Sequence, residues 1–552
     1  MRATWYRNAI VYQVDPALFY DADGDGVGDL RGLTERLPYL RGLGVTCVWL
    51  LPFYPSPFRD GGYDITDHLG VDPRLGDVAD MARFLETADD LGIHVLVELV
   101  MQHTSDEHPW FQDARSSRRS RYREYYVWSD EPTDEGLKPV FPDVEDRVWT
   151  WDEEAQQFYR HAFYRFEPDL ALDRPRVREE LDRVVTYWLR LGVSGFRVDA
   201  VPLMTERARV ADPREDGRWL LTDLRRAVRH QRAQAVLLGE VDVDPREYAG
   251  YFADGQGLTM LLDFWVNGHL FLALARHDAR PLHEAIRAEP PAPADSAYAN
   301  WLRNNDELDL ERLSADERDE VLEAFAPLGS MRLYGRGIRR RLAPVLDGDA
   351  RRIALAHAIL LSLPGAPVLR YGDEIGMGDD PSRPEREVVR TPMQWAGGRT
   401  AGFSAYPDVA PRVALVDGAF GPDAVNVADQ NVRRGSLLER VSALVRARLT
   451  VPEIGTAPPE PLDLDDPAVF ALRYDGTTST VVLLANLCPD PVRVELPTGG
   501  RPEDAPGWLD VHSSEWLDRG ADDDEPVPVV HDDVTLPGYG YRWLRRRPGS
   551  PL

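Results

Sequence analysis

The sequence predicts an α/β protein: a (β/α)8 TIM barrel with a subdomain inserted after its third strand, followed by a C-terminal all-β sandwich domain. Three observations carry this expectation. Short Val- and Leu-rich runs alternate with helical patterns between residues 9 and 371, as βα units around a parallel sheet do. A polar and aromatic stretch, Thr104 to Leu170, interrupts them with little periodicity. Beyond residue 467, strand patterns follow one another with only turns between them.

The first strand is expected at Ala9–Val14, and a loop dense in Asp and Gly follows it. Asp21, Asp23, Asp25 and Asp29 fall close together and repel one another unless a cation or water lies among them. Asp21, Asp23, Asp25 and Gly26 match the opening of a calcium hand, but Gly32 stands where its closing Glu belongs, so the loop is not that hand. On these residues alone, a solvated acidic turn and a hard-cation loop completed by Asp29 and the Val27 carbonyl both stay open. Next come a helix over Leu30–Leu43, a strand over Val45–Leu51, a helix near Asp77–Leu91 and a strand over His94–Val100. Gly195–Asp199, Val236–Glu240, Leu258–Phe264, Tyr298–Arg303 and Pro367–Tyr371 complete the set of eight strands that the barrel requires.

After a helix over Leu437–Leu449, the segment Val451–Pro467 is rich in Pro and acid and reads as a linker. Strands at Val469–Tyr474, Thr480–Asn486, Val492–Leu496 and Tyr539–Leu544 form the last domain, and the run Asp522–Glu525 reads as solvated surface. The boundaries expected are 1–103 with 171–450 for the barrel, 104–170 for the inserted lid subdomain, and 451–552 for the β domain.

With 64 Lys+Arg against 93 Asp+Glu, the chain carries a formal net charge of −29. Such a field repels nucleic-acid phosphates and anionic membranes, so neither partner is expected, and it leaves a neutral substrate unpenalised. Cys47 and Cys488 both lie in apolar runs far apart, so two buried free thiols are expected, which fit a reducing compartment. No apolar stretch follows the charges near Met1 and no run reaches membrane-span length. A cytoplasmic location is expected.

Catalytic groups in a barrel come from the C-terminal ends of its strands. Those ends supply Glu98 with Gln102 and His103, Arg197 with Asp199, Glu240, and Asn305 with Asp306. Side chains on a strand repeat with period two, so Arg197 and Asp199 share a face, where the guanidinium lowers the carboxylate's pKa. Alone, this is either a structural ion pair or a poised nucleophile. Asp199, Glu240 and Asp306, converging from different strands, favour catalysis.

The stretches Glu98–His103, Gly195–Ala200, Leu238–Glu240 and Arg303–Asp306 resemble the four signatures of the α-amylase family, glycoside hydrolase family 13. The resemblance runs from Trp5 to Leu544 and is most specific at Trp49–Pro57, Gly62–Ile65, His103–Asp106, Gly337–Pro344, Tyr371–Gly378 and Arg390–Trp395. It is strongest with the branch of trehalose synthases, or maltose α-D-glucosyltransferases. It implies Asp199 as nucleophile, Glu240 as general acid/base with a raised pKa, and Asp306 as the carboxylate that stabilises an oxocarbenium-like transition state. It also implies Tyr63 as the platform under the first sugar ring, with Asp64, His103, Arg197 and Arg390 as its hydrogen-bonding clamp. Asp21, Asp23, Asp25, Val27 and Asp29 resemble the calcium site of oligosaccharide-acting members, which implies a structural Ca²⁺ and no organic cofactor.

Three positions depart from the family pattern. Asn305 stands at a substrate-binding position that normally holds His, Gln102 replaces an Asn, and Ala171 closes a stretch, Glu167–Ala171, that normally ends in Asn. Losing a hydrogen bond to a charged partner is worth about 1.5–3 kcal/mol, or roughly 10- to 150-fold in rate. With the three carboxylates intact, the expectation is a retaining enzyme acting on a small sugar, which isomerises maltose to trehalose by intramolecular transglucosylation. An α-glucosidase or transglycosylase on small α-glucosides is the alternative, and a sugar-binding protein with weakened catalysis the third. Thr104–Leu170 and the loop Gly378–Arg390 are the candidate lids that exclude water.

Overall fold

The computed structural model describes residues 4–132, 138–209, 216–496, 507–515, 529–530 and 532–546. Eight parallel strands close into a barrel: β1 (Val11–Val14), β2 (Cys47–Leu50), β3 (His94–Leu99), β4 (Gly195–Val198), β5 (Val236–Glu240), β6 (Met260–Leu262), β7 (Ala297–Trp301) and β8 (Ala366–Arg370). Strands adjacent in sequence are adjacent in the ring, and β8 pairs with β1 to close it. Period-two alternation places Val11, Trp49, Leu96, Val236 and Val368 in one buried cluster inside the barrel, while Tyr12, Val48, Val95 and Val97 pack with the helices.

Six of the eight strands are shorter than their apolar runs, by one to four residues. At β6 the run ends early because Asp263 leaves the sheet to cap helix Phe264–Arg276, accepting from the Val266 amide at 3.0 Å. β4 starts at Gly195, where φ is 153° and a Cβ would lie 2.2 Å from the Val236 carbonyl oxygen, so only glycine lets β4 and β5 pair. Helix Leu30–Leu43 begins where Asp29 accepts from the Gly32 amide at 2.7 Å and stops at left-handed Gly44. Helix Val78–Asp90 opens on a capping box formed by Asp77 and Asp80.

The stretch inserted after β3 holds helix Pro109–Ser116 and an antiparallel sheet in the order Trp128–Ser129, Gln157–Arg160, Trp149–Asp152. Its packing is aromatic, with Phe111 stacked on Trp128 and edge-on to Tyr126 and Tyr159. A second excursion, between β7 and β8, was not expected. It carries helix Ala315–Phe325 and a small sheet of Leu308–Asp309, Gly337–Ile338 and Arg332–Leu333, strands too short to leave a readable period.

Val451–Pro467 is not the unstructured linker that its composition suggests. It contains the helical turn Glu453–Thr456 and the strand Pro459–Pro461, which pairs with Val469–Asp475 at a sheet edge, where prolines need no amide on their free side. Six strands form one antiparallel sheet, and Val492–Glu495 with Asp533–Leu536 forms a second. Val469, Leu484, Val494, Leu536 and Leu544 form their shared core. The last strand lies at Tyr541–Arg546 rather than Tyr539–Leu544, and Trp508–Ser513 was not anticipated. Asp522–Glu525 lies outside the described residues. Both cysteines are unpaired; Cys47 is buried in the barrel interior, but Cys488 follows its strand and is partly exposed, contrary to expectation. Among the described residues, no helix is long and apolar enough to cross a membrane.

Candidate active site

A cavity of about 520 Å³ opens where the strand ends converge, and Asp199, Glu240 and Asp306 all line it. β4 delivers Asp199 one residue past its end, Glu240 is the last residue of β5, and Asp306 lies in the loop after β7. Behind them, Arg197 Nη1 meets Asp199 Oδ1 and lies 3.0 Å from Glu98 Oε2, while Nη2 lies 2.7 Å from Glu240 Oε1. One guanidinium thus spans the candidate nucleophile and the candidate acid. Ala200 adopts φ 44°, a conformation that costs a non-glycine residue energy, and the turn aims its N–H at Glu240 Oε2, 2.9 Å away.

Burial raises Glu240 to a pKa of about 7, against the pull of Arg197. Burial also raises Asp199, so the lowering expected from Arg197 is outweighed. Asp306 goes the other way. Burial pushes it up, but Arg386 Nη1 and Arg390 Nη2, each 2.9 Å from Oδ1, overcome that and hold it below the ordinary aspartate value. The environments therefore separate a proton-holding Glu240 from an ionised Asp306. Beneath the floor, wholly buried Glu98 accepts from Trp49 Nε1 at 2.8 Å and Tyr63 OH at 3.1 Å, and burial pushes its pKa up to about 8.

The expected sugar clamp is found in part. Tyr63 and His103 line the cavity, with His103 Nε2 3.3 Å from the Tyr63 carbonyl oxygen and 3.6 Å from Glu167 Oε1. Burial lowers the pKa of His103, which favours the neutral ring. Arg390 stands behind the wall, donating to the Asn305 carbonyl at 3.0 Å as well as to Asp306. Asp64 does not line the cavity: it is wholly buried, accepts from Ser56 Oγ at 2.7 Å and pairs with Arg59 at 3.3 Å. Asp60 takes that wall instead, 2.6 Å from Arg386 Nη2. The chain reverses through Gly61 and Gly62, both at positive φ, and a Cβ on Gly61 would lie 2.3 Å from Arg390 Nη1.

Asp60 and Arg386 were therefore missed, and nothing in the spacing around either distinguishes it from its neighbours. Asn305 also points away from the cavity. Its Oδ1 accepts from Gln13 Nε2 at 3.0 Å and its Nδ2 lies 3.4 Å from Tyr63 OH, while Asn304 faces the cavity. Gln102 is buried with neither side-chain amide atom hydrogen-bonded among the described residues, and Ala171 is buried without a polar group to offer.

The two candidate lids meet beside this cavity, which Phe141 of the first and Arg386 of the second help to line. Glu385 Oε2 accepts from Tyr164 OH of the inserted lobe at 2.7 Å and from Tyr334 OH of the second excursion at 2.9 Å. Beside it, the Arg386 guanidinium lies 4.5 Å over the Phe141 ring.

The acidic loop after β1 brings oxygens of Asp21, Asp23 and Asp29 within 4.8 Å of one another. A set of three carboxylates suits a hard divalent cation. Asp25 is not in that set, because Oδ2 lies 2.7 Å from Arg412 Nη2 and Oδ1 accepts from the Val27 amide at 2.8 Å.

Residues 13–285 match the family model described as alpha amylase, catalytic domain, and residues 467–544 match that described as D-apionate lactonase, C-terminal immunoglobulin-like domain. The chain is 39% identical to a trehalose synthase/amylase of Mycolicibacterium smegmatis, covering 99% of this chain and 93% of that protein. It is 37% identical to a trehalose synthase of Pimelobacter sp., covering 98% of this chain and 96% of that one. Among solved structures, an alpha-amylase from H. orenii aligns with a TM-score of 0.77 at 26% identity, over 98% of this chain and 99% of its own. An alpha-glucosyl transfer enzyme, XgtA, aligns with a TM-score of 0.76 at 26% identity, over 99% and 100%.

Proposed function

The chain belongs to the α-amylase family, and from that premise we propose that it is a retaining α-glucosyl-transferring enzyme that converts maltose to trehalose. The observation that carries the chemistry is the single Arg197 guanidinium spanning Asp199 and Glu240 while Asp306 is held ionised by Arg386 and Arg390. The substrate assignment is supported by relatives at 37–39% identity that are named trehalose synthases.

Asp199 attacks the anomeric carbon of the donor glucosyl unit as Glu240 gives its proton to the glycosidic oxygen, and glucose departs. Asp306 stabilises the positive charge that develops on the ring between these bonds. The freed glucose turns within the cavity and its anomeric hydroxyl attacks the same carbon. Glu240 takes the hydroxyl proton and Asp199 leaves as a carboxylate. Two inversions at one carbon give net retention there, so the donor centre stays α, and attack by the α anomer of the released glucose makes the link α,α-1,1. The latch of Glu385 on Tyr164 and Tyr334 serves the step at which water must be kept from the glycosyl-enzyme.

An α-glucosidase would share the first displacement; the relatives named trehalose synthases and the contact of the two candidate lids through Glu385 support transfer over hydrolysis. Asp21, Asp23 and Asp29 would hold a Ca²⁺ that compensates their charge and takes no part in the chemistry. Its site joins the loop to a distant segment, because the Asp21 amide donates to Phe403 O at 2.9 Å and the Ala405 amide to Asp21 O at 2.8 Å. Two unpaired cysteines support a cytoplasmic setting. Incubation with maltose, followed by NMR of the anomeric protons, is expected to show trehalose in excess of glucose; glucose alone would make the protein a hydrolase.

A further inference from the structure

Below the cavity floor, polar side chains from elements far apart in the chain meet end to end. Gln13 on β1 donates from Nε2 to Asn305 Oδ1 at 3.0 Å, and Asn305 Nδ2 reaches the Tyr63 hydroxyl at 3.4 Å. That hydroxyl donates to Glu98 Oε1 at 3.1 Å, an oxygen that also accepts from Trp49 Nε1 at 2.8 Å. Glu98 Oε2 in turn accepts from Arg197 Nη1 at 3.0 Å, and Arg197 is the guanidinium that spans Asp199 and Glu240. Gln13, Trp49, Tyr63, Glu98, Arg197 and Asn305 are each no more than 5% exposed, so water does not stand in for a lost link at little cost.

Each link fixes the hydrogens of the next. The Gln13 donor takes the Asn305 oxygen, which leaves the Asn305 NH2 facing Tyr63. An amide NH2 only donates, so the phenol oxygen accepts and its single proton is directed to Glu98. Tyr63 therefore offers a sugar its ring and not its hydroxyl. Glu98, gripped by Tyr63 and Trp49 on one oxygen, presents the other to Arg197 in one orientation. A guanidinium on a long stem needs such an anchor to face two carboxylates at once, because displacements of about 1 Å at a reacting centre cost roughly a hundredfold in rate.

We propose that Asn305 is a positioning residue, which orients the Tyr63 hydroxyl onto Glu98 and through Glu98 holds Arg197 across the nucleophile and the acid, and that it makes no contact with the sugar. The proposal rests on the assignment of Asp199 and Glu240 above and extends it to a residue that touches neither substrate nor reacting atoms. The side chain that stands where the family pattern has a sugar-binding His thus serves the floor of the site instead. Its backbone is tied into the same unit, since Arg390, which pairs with Asp306, also donates from Nε to the Asn305 carbonyl at 3.0 Å.

The test is a double-mutant cycle on maltose, scored as maltose consumed so that transfer and hydrolysis count alike. Asn305→Ala is expected to lower kcat about tenfold, the scale of one hydrogen bond, while KM changes by no more than about twofold. In a Tyr63→Phe background the same substitution should cost almost nothing, because the hydroxyl through which it acts is already gone. Gln13→Leu runs the same cycle if Asn305→Ala does not fold. A sugar contact would instead appear as a raised KM, and a role confined to stability as a lowered Tm with kcat unchanged. Either of these, or a loss in kcat that is as large without the Tyr63 hydroxyl as with it, would overturn the proposal. Failure of the assignment beneath it shows separately, as Asp199→Asn consuming maltose at the unaltered rate.

Discussion

At Glu240 two functions depend on one proton. In the proposed reaction the side chain must be protonated to release the leaving sugar, and burial raises its pKa to about 7, so turnover of maltose should fall as pH rises through that value. Glu240→Gln cannot donate the proton, and kcat on maltose should drop by about 10²- to 10⁴-fold. On α-glucosyl fluoride, whose leaving group needs no proton, glucosylation of Asp199 should persist and the loss of rate above neutrality should disappear. The comparison of the two substrates across pH separates an acid from a residue that merely holds Arg197.

The places of Asp199 and Glu240 were legible because each sits at or just beyond a strand whose alternation can be read, and that of Asp306, in the loop after β7, through the resemblance of Arg303–Asp306 to a family signature. Asp60 was not, since the choice between Asp60 and Asp64 depends on the reversal at Gly61 and Gly62, which no local period reports. Asn305 illustrates the same limit: the departure from His was visible, but not that its side chain turns to Gln13.

At the scale of elements, the inserted lobe, the excursion after β7 and the loop before Arg390 are tied by Glu385. Its positive φ of 38° is a strained turn that the two tyrosine bonds hold in place. Replacing both Tyr164 and Tyr334 by Phe removes two bonds worth about 1 kcal/mol each and should raise the glucose-to-trehalose product ratio several-fold, as chromatography of maltose digests would show. An unchanged ratio would mean that the latch does not govern access of water. The barrel strands and helices Leu30–Leu43 and Val78–Asp90 were readable because apolar runs and helical patterns alternate along the chain. The sheet of Leu308–Asp309, Arg332–Leu333 and Gly337–Ile338 was not, because its stability comes from contacts distant in sequence such as the Tyr334 amide on Asp143 Oδ2 at 2.8 Å.

Across the whole molecule, the acidic loop after β1 joins the first strand region to residues 403–412 through its backbone and through Arg412 on Asp25. A calcium ion held there, as proposed, would stabilise the folded chain in proportion to the logarithm of its concentration, by about 2.7 kcal/mol at a hundredfold excess over Kd. Calorimetry should therefore show Tm rising by a few degrees on addition of Ca²⁺ and falling with chelator, with both effects lost in Asp21→Asn. The carboxylates Asp60 and Asp306, bracketed by Arg386, likewise depend on distant loops brought to one rim.

Intramolecular transfer of a glucosyl unit from O4 to O1 of the same glucose is the claim on which this account stands, and isotope dilution tests it most directly. Unlabelled maltose is converted in the presence of excess ¹³C-glucose, and the trehalose formed is isolated before equilibrium. The account predicts trehalose whose ¹³C content is well below that of the free glucose pool, because the leaving glucose turns and reattacks before it escapes. Trehalose labelled to the level of the pool, or glucose formed in place of trehalose, would contradict it.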